Sequence, residues 1–73
     1  MNGFQASKEI DRIADLPHKQ PATTINAVKE GIKAMLYTSD FYEDDIVAVF
    51  SRFCETGMLD FTGVKKVEQV LNS

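Results

Sequence analysis

Apolar residues recur along the chain at intervals of three and four, the spacing that lays side chains along one face of an α-helix. Ile25, Val28, Ile32, Met35 and Leu36 keep this spacing and predict a helix that runs from a cap at Thr23 or Thr24 to about Tyr37. Ile46, Val49, Phe50, Phe53 and Cys54 predict a second one, at the centre of the core. Asp40 and Glu43 have the spacing of a capping box at its start. Glu43, Asp44 and Asp45 put negative charge where the helix dipole favours it, and Gly57 stands where a helix end takes a left-handed residue. Val64, Val67, Val70 and Leu71 mark a third core helix, capped by Asp60 or Thr62, with Lys65, Lys66, Glu68 and Gln69 outward.

A shorter apolar pattern precedes these. Ser7 is placed to cap a brief helix carrying Ile10, Ile13 and Ala14, and Pro17 ends it by restricting Leu16. Residues 1–6 carry no period, and the run Pro17-His18-Lys19-Gln20-Pro21 predicts an extended link. The expectation is therefore an all-α fold: a small bundle of three core helices with a short N-terminal helical or flexible arm. Its division is an arm and linker over 1–22 and a helical bundle domain over 23–73. Gly31 interrupts the first core helix at a cost of about 1 kcal/mol relative to Ala, which marks a close helix crossing.

A length of 73 residues confines this to one small core. Cys54 is the single cysteine, so no disulfide forms within the chain, and a reducing, cytoplasmic setting is expected. Residues 1–7 lack the pattern of an export leader, and the longest uninterrupted apolar run is Ile46 to Phe50, far too short to span a membrane. Eleven acids against eight bases give a net charge of −3, which opposes non-specific attraction to nucleic acid.

Chemistry-bearing residues are few. His18 and Cys54 are the only residues of their kinds, and the pattern puts one in a linker and the other on a buried helix face, so no nucleophile and base pair up. Zinc ligands do not cluster, and the scattered glycines form no phosphate-cradling loop. No catalytic residue, metal or cofactor is expected, and the chain is not expected to be an enzyme. The acids Asp40, Glu43, Asp44 and Asp45 are explained by helix-start chemistry, with an acidic contact surface as the alternative.

Two likenesses bear on Phe50 to Leu71. The segment resembles the second half of a calmodulin-type EF-hand, with Gly57-Met58-Leu59 at the loop glycine and its hydrophobic bridge. Aligned on Gly57, however, the family's ligand positions fall on Arg52, Cys54 and Thr56, and Gly63 replaces the bidentate Glu. The resemblance thus implies helix-loop-helix shape and no calcium site. Tried as a helix-turn-helix, the segment would present Lys65 and Lys66 to phosphates, but no Arg, Asn or Gln cluster faces base edges.

Binding function then falls to apolar and acidic groups that the helical pattern does not need for its own core. These are Phe4, Ile10 and Ile13 on the arm, with Tyr37, Phe41, Tyr42, Glu43 and Asp44 before the central helix. The expected function is a non-enzymatic protein-protein interaction module, a small regulator or inhibitor of a larger bacterial or phage-targeted assembly such as the transcription machinery. The alternatives are a small DNA-binding domain using Lys65 and Lys66, and a homodimer or structural subunit.

Overall fold

The computed structural model describes residues 2–38 and 40–67. Three helices, α1 (Gly3–Asp15), α2 (Ala22–Met35) and α3 (Glu43–Thr56), pack pairwise against one another, and α1 and α3 share the broadest contact. The expected all-α class holds, with three packed helices among the described residues. Which segments supply them differs.

The apolar face of α3 is buried as its spacing predicts: Ile46, Val49, Phe50, Phe53 and Cys54 all lie inside, and Gly57 ends the helix in the left-handed conformation at φ 78°. Its amide donates to the Phe53 carbonyl at 2.8 Å, and a Cβ added there would approach the Gln20 side chain to 2.9 Å. Position 57 thus disfavours other residues by its backbone conformation, while the Gln20 side chain would have to shift to admit a Cβ.

The N-terminal segment is part of the core and not a detached arm. Asn2 Oδ1 accepts the Gln5 amide at 2.8 Å while Gln5 Oε1 accepts the Asn2 amide at 3.2 Å, a reciprocal cap that starts α1 one turn before Ser7. The extra turn brings Ala6 into line with Ile10 and Ile13, and all three are buried. Ser7 sits inside the helix. Pro17 has its expected effect, since Leu16 is extended at ψ 153° and closes the helix.

The link to α2 folds back against the bundle. The His18 ring lies between two backbone carbonyl oxygens, with Nε2 3.2 Å from Ala14 and Nδ1 3.1 Å from Gln20. Pro21, not Thr23 or Thr24, holds the cap position of α2, where its fixed φ sets the entry without a side-chain hydrogen bond. Ile25 and Ile32 are buried, with Val28, Met35 and Leu36 packed beside them. The helix stops at Met35 because the next amides turn to carbonyls three residues back: Leu36 to Lys33, Tyr37 to Ala34 and Thr38 to Met35. A Cβ built on Gly31 meets nothing within 4 Å, so no helix crosses closely there.

Asp40 and Glu43 form no capping box, because α3 begins with Tyr42 at its cap position and Asp40 lies two residues too early. The Asp40 carbonyl instead accepts the Val67 amide at 2.8 Å, and the Asp45 carboxylate accepts the Lys65 amide at 3.0 Å. Those contacts, with the isolated antiparallel bridge between Phe41 and Lys66, hold residues 65–67 against the start of α3. The fourth helix expected from Asp60 onward is therefore absent over 60–67. Asp60 does act as a local cap, but of a tight turn: its carboxylate takes the Thr62 amide at 3.0 Å and hydroxyl at 2.6 Å, and these bonds hold its pKa below the usual carboxylate value. Thr62, Gly63 and Val64 are all weak helix formers, so the turn wins. Val64 still packs against the core, Val67 is exposed, and Glu68, Gln69, Val70 and Leu71 lie outside the described residues.

Two stability measurements check this account. Deleting residues 1–20 removes three buried side chains and should abolish cooperative thermal unfolding by circular dichroism; a melting point close to that of the intact chain would show α1 to be dispensable. Gly57→Ala should lower stability by about 1–2 kcal/mol in urea denaturation, because an L side chain is strained in the left-handed region.

Candidate functional site

The described surface offers concave, partly apolar clefts rather than a cluster of reactive groups. One lies where the start of α1 meets the end of α2. The α1 cap places Phe4 in the first turn, two positions before buried Ala6 and so turned away from the core. The three-residue bonds that unwind α2 place Tyr37 just past its end. Phe4, at 69% exposure, and Tyr37, at 83%, then flank a cleft of about 290 Å³ completed by Gly3, Ser7 and Leu36. Lys8 Nζ sits 4.7 Å from the centre of the Phe4 ring and puts a cation beside it.

The other expected contact residues do not join this cleft. Ile10 and Ile13 are core residues, the reverse of the exposure a partner would need, because α1 uses them to pack on the bundle. Phe41 is half-buried against the core and bridged to Lys66. Tyr42 is 47% exposed at the cap of α3, with half-buried Glu43 and exposed Asp44 in the first turn. Of the eight, Phe4 and Tyr37 are the two that line this cleft, while Ile10, Ile13 and Phe41 meet in the core. The apolar and capping pattern assigns Ser7 to a cap and Leu36 to a core face; the signal for the cleft is the Asn2 and Gln5 pair, whose reciprocal cap sets where α1 starts.

A second cleft, of about 370 Å³, brings His18 and Cys54 to one wall, with Ile13, Leu16 and Pro17 beneath and Lys19, Ser51 and Glu55 around it. Sequence spacing placed the two apart, and only the folded linker unites them. The arrangement is poorly suited to nucleophilic chemistry. Cys54 is 6% exposed, and burial, then the charge of Glu55, pushes its thiol above the ordinary value, which disfavours the reactive thiolate. Each His18 nitrogen faces a backbone carbonyl oxygen, and the ring N–H donates to one of them. Among the described residues no three His, Cys, Asp or Glu side chains group as metal ligands, and no helix is long and apolar enough to cross a membrane.

Comparison with known proteins finds no matching family model, no matching curated protein and no matching solved structure. The functional reading therefore rests on the geometry alone.

The state of Cys54 is directly measurable. A thiol reagent at neutral pH should label the native chain about a hundredfold or more slowly than the denatured chain, since the thiol is exposed only by opening of the bundle. Equal rates would show that the thiol is accessible in the native chain.

Proposed function

We propose that this chain is a non-enzymatic protein-interaction module whose partner anchors in the Phe4 and Tyr37 cleft. The observation that carries this reading is the pair of strongly exposed aromatic rings, delivered to one concavity from the first turn of α1 and from the turn after α2. Large aromatic side chains left in water at a cleft are what interface anchors are made of, because each loses much apolar surface to solvent on docking while ordering few torsions. A small regulator or inhibitor of a larger assembly is the role such a module fits. The DNA-binding reading draws no comparable support, since the segment bearing Lys65 is tied by its backbone to the Asp45 carboxylate and forms no helix over 60–67.

The double variant Phe4→Ala with Tyr37→Ala tests the reading. Both side chains are exposed, so the melting temperature should stay within a few degrees of the parent. Affinity for a protein recovered from the native host on the intact chain should fall by about a hundredfold or more, as expected of two anchors worth at least ~1.4 kcal/mol each. Undiminished binding by a folded double variant would remove the cleft from consideration.

A further inference from the structure

The His18 ring stands between two groups that can only accept a hydrogen bond. Nε2 lies 3.2 Å from the Ala14 carbonyl oxygen and Nδ1 lies 3.1 Å from that of Gln20. A neutral imidazole has one N–H, so it satisfies one of these oxygens and points the lone pair of its other nitrogen at the second. An imidazolium has two N–H groups and satisfies both. The position of the ring is therefore complementary to its charged form. Ala14 adds to this, because its carbonyl belongs to the last turn of α1, where carbonyls lack an amide partner within the helix and the helix dipole is negative. The other charges nearby are balanced: the charged side chains that line the cleft with His18 are Lys19, on its own link, and Glu55, on α3. The titratable Cys54 of α3 is kept an uncharged thiol by burial first and the Glu55 charge second. Neither α1 nor α2 contributes a charged side chain to that lining, and Asp15 at the end of α1 is exposed.

We propose that His18 is a proton-operated clasp on the link between α1 and α2. With the ring protonated, two hydrogen bonds tie Ala14 to Gln20 and close the link against the bundle; with the proton lost, one tie goes and the link loosens. What the link carries is released with it. The Gln20 side chain rests beside Gly57 at the end of α3, Pro21 sets the entry to α2, and Pro17, His18 and Lys19 form part of the wall around Cys54. Closing and protonation therefore favour each other, and the sign of the pH dependence follows. The stability that the clasp supplies is present at acid pH, where the ring is charged in the open and closed chain alike, and is lost as pH rises through the ordinary histidine range around 6.5. The clasp shares no residue with the Phe4 and Tyr37 cleft, so it stands whether or not a partner anchors there.

Urea unfolding of the full chain at about pH 5.5 and about pH 7.5, beside His18→Gln, reads the clasp. His18 is the only histidine, and comparison with the variant cancels every other titrating group. Between the two conditions the parent's folding equilibrium constant should fall about tenfold more than that of His18→Gln. Proton NMR of the native parent gives a reading that needs no variant: at about pH 5.5 both ring N–H resonances of His18 should survive exchange with water, because each is held in a hydrogen bond. Cys54 supplies a local reading. Its labelling rate, taken as a ratio to the denatured chain at the same pH, should rise with pH in the parent and stay constant in His18→Gln. An equal pH response of parent and variant overturns the clasp, as does a parent that gains stability relative to the variant as pH rises. A single surviving ring N–H resonance in the folded parent at acid pH overturns it as well.

Discussion

The burial of the α3 stripe against α1 is the contact on which the rest of the molecule depends. Phe50 and Ile46 on one side and Ile10 on the other are removed entirely from solvent, and α1 and α3 touch more broadly than any other pair of helices. Burying one such side chain is worth roughly 1.5–3 kcal/mol, so a chain this short has no second core to fall back on. The position of α1 follows from this contact, and with it the orientation of every side chain that α1 presents to solvent.

That dependence explains why the connections do more than join helices. The Pro17 to Pro21 link is held by the His18 ring between the Ala14 and Gln20 carbonyls, and the Gln20 side chain reaches the end of α3 beside Gly57. At the other end of α3, the amides of Lys65 and Val67 are taken by Asp45 and Asp40. Both ends of the central helix are therefore braced by chain from outside it. The charged contacts are lesser contributors: Lys33 reaches Asp11 between α2 and α1 at 3.0 Å, and Arg12 pairs with Glu9 along α1, both at the surface where solvent screens ion pairs.

The surfaces left after this bracing are apolar and lie at helix junctions. The Phe4 and Tyr37 cleft exists because α1 starts a turn early and α2 ends at Met35; the α2 groove lies between that helix and the segment after α3, lined by Ala27, Gly31, Leu59 and Phe61 among others. Neither contains a reactive group. The single cleft that does contain a cysteine and a histidine holds them in states that suppress reactivity, one by burial and one by hydrogen bonding. The protein partner proposed for the first surface therefore rests on shape and apolar burial.

The amino-acid sequence by itself determined the helical class, the whole buried face of α3, its end at Gly57, the end of α1 before Pro17 and the burial of Cys54. These are local properties: a periodic apolar run, a residue tolerant of positive φ and a ring that restricts its predecessor act within a few residues of themselves. The tertiary structure decided what depends on competition between distant groups. Whether Ile10 and Ile13 were core or contact surface turned on whether α3 needed them, and it did. Whether residues 60–67 became a helix turned on the use of backbone amides, and Asp45 and Asp40 took two of them from across the chain. Phe4 and Tyr37 could be named as spare aromatics from the sequence, but only the packing of α1 against the end of α2 could place them on one cleft, because contact between residues so far apart is fixed by the core and not by their neighbours.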